Sequence, residues 1–208
     1  SSKYHIQEVH YSGGTQTSHC SIQPVRTELL KGGCPTVSGK TLGIVGMGRI
    51  GEAVARRAQG FGMEVLYHNR TRRSFEDVKY AGLDELLGKS DFVVLLTPLT
   101  EETRGMIGAR ELSLMKETAC LINVARGGIV DETALYEALK SGGIWGAGLD
   151  VFEQEPVPLD HPLLTLPNVT VLPHIGSATV QTRLAMMDMN AKAIKACLEG
   201  GKVENRLC

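Results

Sequence analysis

Three segments of the sequence carry residue types that together suit the reduction of a keto acid. They supply Arg126, Glu155 and His174, in that order along the chain. An arginine guanidinium binds a carboxylate bidentately, and a histidine can donate a proton to a carbonyl oxygen while a neighbouring carboxylate orients it. Singly, Arg126 would also suit a surface ion pair, Glu155 a helix cap and His174 a structural loop position. Because all three follow predicted strands, where ligands bind in open α/β sheets, we predict that they form one catalytic site.

A glycine-rich turn follows the first predicted strand, residues 41–45. It reads GMGRIG from Gly46 to Gly51, a G-x-G-x-x-G pattern that leads into a predicted helix. The first glycine of this pattern permits a tight turn, the second lets the backbone approach a pyrophosphate, and the third lets the helix pack on the strand. A purely structural turn is the alternative, but the strand and the helix that dinucleotide binding requires both flank the motif. The predicted cofactor contacts here are Gly46, Gly48, Arg49, Ile50 and Gly51.

The residues after the second predicted strand, 64–68, favour NADP(H) over NAD(H). An NAD site places Asp or Glu about 20 residues after the glycine motif, where the acid binds the ribose 2′-hydroxyl. This chain instead has Asn69 followed by the run RTRR. Guanidinium groups bind a phosphate bidentately, and a solvated basic turn would leave the missing acid unexplained. The predicted contacts with NADP(H) are Asn69, Arg70, Thr71 and Arg72, and NAD(H) is the weaker alternative.

The elements that must position these residues alternate between strands and helices. Apolar runs predict strands at 41–45, 64–68, 92–96, 119–124, 144–149 and 169–172, with helical spacing or helix caps between them. Such alternation predicts an α/β fold, a doubly wound parallel sheet that forms a Rossmann dinucleotide-binding domain. The last helix, near residues 180–198, carries apolar residues at steps of three and four. We interpret its methionines Met186, Met187 and Met189 as packing residues rather than as part of a cofactor site.

Residues 1–38 differ from the rest of the chain. They are rich in Gly, Pro, Ser and Thr and show weak periodicity, which predicts an irregular leader with one short helix near residues 25–31. The predicted domains are therefore this leader, residues 1–38, and a cofactor-binding domain, residues 39–208. The first residues contain no apolar run, so we expect no secretory signal.

Composition narrows the class of protein. The 208 residues are 42% hydrophobic and 22% charged, and Lys+Arg 22 against Asp+Glu 23 gives a net charge of -1. This balance argues against a nucleic-acid or anionic-membrane surface over the whole chain, and no apolar run is long enough to span a membrane. The five cysteines are odd in number and no pair has C-x-x-C spacing. We therefore expect a reduced, cytoplasmic protein with no metal site.

Four motifs, in this order, carry a resemblance to a known family: GMGRIG, INVARGGIVDE, GLDVFEQEP and LPHIGSAT. With them the chain resembles the D-isomer-specific 2-hydroxyacid dehydrogenases, most of all the glyoxylate/hydroxypyruvate reductase branch. The resemblance covers roughly residues 39–201. It implies an NADP(H)-dependent enzyme that takes a small 2-keto acid as substrate, reducing glyoxylate or hydroxypyruvate to glycolate or D-glycerate by hydride transfer.

The resemblance also implies a role for each matching residue. Arg126 would bind the carboxylate and the carbonyl of the substrate, and Glu155 would pair with His174, the general acid. Glu153 stands nearby, but the family places its acid directly before a proline, as Glu155 stands before Pro156. Further cofactor contacts are implied for Thr97 and Pro98 on the adenine side, Asp150 at the nicotinamide carboxamide, and Val124 and Gly176 beside the nicotinamide.

The chain departs from the family in one respect. Members carry a second, substrate-binding domain formed mostly by residues before the glycine strand, and residues 1–38 do not match it. The run VRTELLKGG, residues 25–33, is the exception, which we interpret as a remnant of the helix that connects the two domains. One wall of the substrate cleft is therefore expected to be missing, and turnover by this chain alone stays an open question. A non-enzymatic nucleotide-sensing or protein-interaction module is the alternative function. The resemblance also implies a homodimer, which an uncovered apolar helix would favour.

Overall fold

A seven-stranded, all-parallel sheet organises the part of the chain that the computed structural model describes, residues 36–201 and residue 203. Its strands lie in the order β3-β2-β1-β4-β5-β6-β7. They are β1 (Thr41–Val45), β2 (Glu64–His68), β3 (Lys79–Tyr80), β4 (Phe92–Leu95), β5 (Cys120–Asn123), β6 (Gly146–Leu149) and β7 (Val169–Val171). The helices are α1 (Arg49–Gln59), α2 (Leu83–Lys89), α3 (Ala109–Leu114), α4 (Glu132–Ser141) and α5 (Val180–Leu198), with a short 3-10 helix at Pro162–Thr165. The predicted doubly wound Rossmann fold is confirmed, whereas the predicted helix near residues 25–31 lies outside the described residues.

Side chains that alternate along the strands pack against helices on two faces of the sheet. On one face, Ile44 lies in a buried cluster with Ala55 and Ala58 of α1. On the other face, the next residue of the strand, Val45, belongs to a larger cluster that includes leucines of α2, α3 and α4. Successive side chains of a strand point to opposite faces, so β1 contributes to both layers. Burying one such aliphatic side chain stabilises the fold by about 1.5–3 kcal/mol.

Helix caps fix the two ends of α4. Asp131 caps its beginning, because its Oδ1 accepts a hydrogen bond from the Ala134 N–H at 2.9 Å. Gly142 ends the same helix in the left-handed region, with φ of 76°. The structure adds β3, which the sequence analysis does not predict, since two residues are too few to show an alternating pattern.

The expectation that the methionines of the last helix serve packing is not met among the described residues. No residue of α5 is buried, and Met186, Met187 and Met189 are all exposed. The spacing of apolar residues shows which side of a helix is apolar, but it does not supply a partner for that side. The described residues therefore leave an apolar side of α5 open to solvent. In the same part of the chain, no helix has both the length and the apolar character that crossing a membrane requires.

Candidate active site

Two of the three glycines of the turn after β1 have a steric reason within the chain to be glycine. Gly46 has φ of 103°, and a β-carbon there would lie 2.6 Å from the Thr97 backbone nitrogen. A β-carbon on Gly51 would lie 2.9 Å from the Gly46 carbonyl oxygen, because α1 packs closely on β1. A β-carbon on Gly48 would meet nothing within 4 Å. The first and third glycines thus permit packing within the chain, and the second faces open space.

That open space borders the beginning of α1, where an anion is favoured. The first N–H groups of an α-helix have no acceptor within the helix, and the helix dipole adds positive charge there. Gly48, the N-cap, offers no side-chain oxygen to these groups. Arg49 and Ile50 begin the helix with exposed side chains, Ile50 at 67%. The residues present at this end of α1 therefore fit the pyrophosphate of a dinucleotide.

Asn69, a predicted cofactor contact, is bonded to the glycine turn itself. Its Oδ1 accepts the Met47 N–H at 2.6 Å, and its Nδ2 donates to the Met47 carbonyl at 3.0 Å. The carboxamide therefore ties the end of β2 to the middle of the turn. Sequence analysis missed this contact because nothing in the pattern shows which backbone groups a side chain meets 22 residues away.

The predicted arginines lie on the exposed surface just beyond β2, and they point to different partners. Arg70 forms an ion pair with Glu102, Nη1 to Oε2 at 2.9 Å, with side chains that are 85% and 68% exposed. Arg72 stacks over the Tyr80 ring, its guanidinium carbon 5.2 Å from the ring centroid. Thr71 between them is exposed. Exposed contacts of this kind add little to stability, so either guanidinium is free to take up a phosphate in exchange.

The loop after β4 closes the other side of the glycine turn. Thr97 is half-buried against Gly46, and Pro98 beside it is exposed. The Pro98 carbonyl accepts a hydrogen bond from the Thr103 hydroxyl at 2.7 Å, which folds the loop back on itself. The residues predicted for the adenine side and those predicted for the 2′-phosphate thus lie on two sides of one region. The ion pair between Arg70 and Glu102 joins these two sides.

At the far end of the same edge, Glu155 and His174 are in contact. Oε2 of Glu155 lies 2.7 Å from Nδ1 of His174, and Oε1 accepts the Phe152 N–H at 3.1 Å. Partial burial alone would raise the pKa of the Glu155 carboxyl. The hydrogen bonds from His174 and the Phe152 N–H, helped by the charges of His174 and Arg126, hold this pKa below its ordinary value instead. The carboxyl is therefore ionised at neutral pH and able to orient the imidazole.

Asp150 holds the backbone on which His174 stands. It is buried, at 5% exposure, and its two oxygens accept the N–H groups of Ile175 at 2.9 Å and Gly176 at 3.1 Å. His174 itself has φ of 54°, a left-handed conformation that costs free energy unless its surroundings impose it. Two charge-assisted hydrogen bonds to the next two residues impose it here. The sequence analysis assigned Asp150 only to the cofactor and missed this structural task.

Arg126 reaches the same region from the loop between β5 and α4. Its side chain is exposed and donates from Nη1 to the Ala125 carbonyl at 2.7 Å, while Val124 is 43% exposed. A β-carbon on Gly127 would overlap the Phe152 carbonyl group, so this loop lies flush against the loop that carries Glu155. The structure thus brings the predicted trio to one edge of the sheet, where the three side chains could bind a carboxylate and protonate a carbonyl oxygen. Among the described residues, no cluster of His, Cys, Asp and Glu could hold a metal ion.

The chain is similar to a known family of proteins over most of its length. The family model "D-isomer specific 2-hydroxyacid dehydrogenase, NAD binding domain" matches residues 22–176. The chain is 58% identical over 168 residues to a glyoxylate reductase of Korarchaeum cryptofilum, and the matched region covers 79% of this chain and 51% of that protein. The chain spans about half the length of the curated relatives it matches.

Solved structures agree with the sequence comparison. The structure of the TT0316 protein from Thermus thermophilus matches with a TM-score of 0.80 and 48% identity, covering 83% of this chain and 55% of that one. An NADPH-dependent glyoxylate/hydroxypyruvate reductase from Sinorhizobium meliloti, solved with NADP and malonate, matches with a TM-score of 0.74 and 44% identity. That match covers 77% of this chain and 50% of the reductase.

Proposed function

The chain belongs to the D-isomer specific 2-hydroxyacid dehydrogenase family, whose NAD-binding domain it matches, and from this premise we propose that it is the cofactor-binding part of an NADP(H)-dependent reductase. The proposed reaction converts glyoxylate or hydroxypyruvate to glycolate or D-glycerate. One observation carries the proposal: His174 is hydrogen-bonded to Glu155 at the sheet edge that also bears the glycine turn. The proteins to which this chain is similar do not support the alternative function, a non-enzymatic module.

In this proposal Arg126, Glu155 and His174 divide the work on the substrate. When bound, the reduced nicotinamide supplies the hydride for the carbonyl carbon. As negative charge develops on the carbonyl oxygen, His174 donates a proton to it from Nε2. Glu155 accepts from Nδ1–H and so keeps the ring in the orientation that leaves Nε2 for the substrate. Arg126 binds the substrate carboxylate through two parallel hydrogen bonds.

The family supports a pyridine nucleotide as the cofactor, and the preference for NADP(H) is part of the proposal. Arg70 and Arg72 would bind the 2′-phosphate, while the glycine turn and the first N–H groups of α1 would bind the pyrophosphate. Binding requires Arg70 to leave Glu102 and Arg72 to leave Tyr80, which costs little at an exposed surface. The absence of an acid at the end of β2 removes the usual partner of the NAD ribose.

We also propose that residues 39–208 form the cofactor-binding domain and that the second wall of the substrate cleft is not supplied by them. The side chains of Glu155 and His174 are 38% and 47% exposed. These exposed fractions are high for two groups that must act on a bound substrate. Water that reaches the site weakens every electrostatic interaction in it. We therefore expect weak turnover by the 208-residue chain alone.

The apolar side of α5 supports a homodimer as a further part of the proposal. Leu184, Met187 and Ile194 are each at least 60% exposed, and exposed apolar surface favours association. Light scattering at high micromolar concentration should give about twice 22.5 kDa, and a mass near 22.5 kDa would contradict the dimer.

The free thiols of Cys120 and Cys197 agree with a reducing, cytoplasmic location, which we also propose.

Calorimetric titration of the chain with NADPH and NADH, followed by an NADPH-oxidation assay with glyoxylate and with hydroxypyruvate, tests the proposal. We expect saturable NADPH binding and slow oxidation that depends on the keto acid. A chain that binds neither nucleotide would overturn the proposal. Equal binding of NADPH and NADH would be consistent with a reductase but would contradict the proposed preference for NADP(H).

A further inference from the structure

Glu132 and His161 form a half-buried pair that the proposed reaction does not use. Glu132 is the first residue of α4, and His161 directly precedes the 3-10 helix. Oε2 of Glu132 lies 3.1 Å from Nε2 of His161, and the two side chains are only 17% and 18% exposed. Polar side chains this poorly solvated cost free energy unless they are hydrogen-bonded, so their partners indicate what they do.

The contacts of His161 assign its tautomer. The Leu163 N–H donates to Nδ1 at 3.4 Å, so Nδ1 is an acceptor and the ring proton belongs on Nε2. Nε2 then donates to Glu132. The ring also packs edge-on against Phe152, with centroids 5.6 Å apart. A neutral His161 therefore satisfies both nitrogen contacts, and Glu132 accepts.

The other oxygen of Glu132 binds the opposite end of the same loop. Oε1 accepts the Glu153 N–H at 2.7 Å. One carboxylate thus holds the loop where it leaves β6, at Glu153, and where it returns, at His161. Glu155 lies between these two points. The pattern differs from an ordinary helix cap, because both bonds leave α4 and reach a segment more than 20 residues further along the chain.

The peptide that Glu132 binds is also the one on which the loop bearing Arg126 rests. The Phe152 carbonyl and the Glu153 N–H belong to one planar peptide. Glu132 accepts from the N–H, and Gly127 packs so closely against the carbonyl that a β-carbon there would overlap it. The Phe152 N–H, one peptide earlier, donates to Glu155, which holds His174. Clamping this peptide therefore fixes the two loops relative to each other.

We propose that Glu132 is a positioning residue for the catalytic pair, whose carboxylate fixes the loop of Glu155 at Glu153 and His161 and thereby sets where Glu155 meets His174. The inference rests on the proposed function only in giving Glu155 and His174 a part in catalysis. Glu132 touches none of the reacting atoms and acts through the backbone.

Nuclear magnetic resonance on the full 208-residue chain tests the inference without any need for turnover. The first measurement is hydrogen exchange of the Phe152 amide, which donates to Glu155 and not to Glu132. In Glu132→Ala we expect this amide to exchange at least about tenfold faster, because the loop opens more often. The second is the carboxyl-carbon titration of Glu155, whose midpoint should move up by about half a pH unit or more as its hydrogen bonds loosen.

Two milder variants and one control complete the design. Glu132→Gln keeps an acceptor for the Glu153 N–H but none for His161, so its effects should be smaller than those of Glu132→Ala. His161→Asn keeps an acceptor for the Leu163 N–H, as an N-cap, and is too short to reach Glu132. Its effects should also be intermediate, and these two variants decide the matter if Glu132→Ala does not fold. Glu137→Ala, an exposed glutamate of the same helix, should change neither measurement.

The result that overturns the inference is specific. If the Glu153 amide exchanges faster in the variants while Phe152 exchange and the Glu155 titration stay unchanged, Glu132 braces the loop without positioning Glu155. Failure of the proposed function is read separately, from nucleotide titrations of the unaltered chain, because neither resonance measurement requires bound cofactor.

Discussion

The glycine turn and the catalytic loops share one edge of the sheet, yet they are built in opposite ways. The turn is one contiguous segment shaped by backbone packing, since Gly46 and Gly51 stand where a β-carbon would press on main-chain atoms. The proposed catalytic loops come from three distant segments. Carboxylates hold two of them by accepting backbone N–H groups, whereas the Asn123 carboxamide holds the third. Asp150 binds the turn after His174, and Glu155 binds the Phe152 N–H.

This difference decides how each region responds to substitution. Where the turn is packed on backbone, at Gly46 and Gly51, it has no room to adjust, so a change at either glycine alters the fold and the proposed cofactor site together. A loop held by side-chain hydrogen bonds can shift while the sheet stays intact, so a change there alters orientation first. Close backbone approach suits a pyrophosphate, which binds main-chain N–H groups, and oriented side chains suit proton transfer, which requires a donor within hydrogen-bond reach.

The largest expected effect lies on the catalytic side. In a chimera that carries the substrate-binding domain of a related reductase, His174→Ala should lower kcat by about 10²–10⁴-fold, because a general acid typically contributes this much. The affinity for NADPH should hardly change, since the imidazole acts on the substrate. Steady-state kinetics with glyoxylate and a nucleotide titration check both halves. A variant that kept more than about a tenth of the parental kcat would show that another donor acts.

A smaller effect is expected at the arginines beyond β2. The Arg70→Ala, Arg72→Ala double variant should lose NADPH affinity by at least about tenfold, because a charge-assisted hydrogen bond is worth roughly 1.5–3 kcal/mol. NADH affinity should stay the same, since NADH carries no 2′-phosphate. Calorimetric titration with both nucleotides measures the ratio. An unchanged ratio would remove these arginines from the site, and Arg73→Ala serves as the neighbouring control.

The glycine turn offers a matched pair that separates folding from binding. Gly46→Ala should lower the free energy of unfolding by about 1–3 kcal/mol, because alanine is strained at a positive φ, and here its β-carbon also meets backbone. Gly48→Ala should leave thermal stability unchanged and weaken NADPH binding, since its methyl group enters open space beside the first turn of α1. Thermal unfolding and nucleotide titration of both variants provide the comparison. Equal stability losses would contradict it.

The smallest effect is the pH dependence that Glu155 contributes to stability. Because its pKa in the folded chain lies below the ordinary 4.5, its contribution is present above about pH 4.5 and is lost as pH falls through the folded pKa. Glu155→Gln should therefore differ from the unaltered chain at about pH 6 and approach it at about pH 3. Urea unfolding at both pH values measures this. A difference that grew on acidification would have the wrong sign.

Much of the fold could be predicted from sequence because its signals are local. The strand ahead of Gly46 reads as a buried apolar run, and Asp131 and Gly142 mark the ends of α4. The two-residue β3 could not be predicted in this way, and neither could the lack of packing around the α5 methionines among the described residues. An edge pairing of two residues leaves no pattern, and whether an apolar helix side is covered depends on what lies next to it in space.

For the site, the sequence by itself determined which residue types stand at the carboxyl ends of the strands. Each segment of the sequence shows its own part of the site: a glycine turn, a basic run without an acid, and an Arg, a Glu and a His in that order. Only the tertiary structure decided their partners: Asn69 on the Met47 backbone, and Glu132 on both ends of the loop of Glu155. The physical reason is that hydrogen bonds form between groups within about 3 Å, and the sheet, not the chain order, brings those groups together.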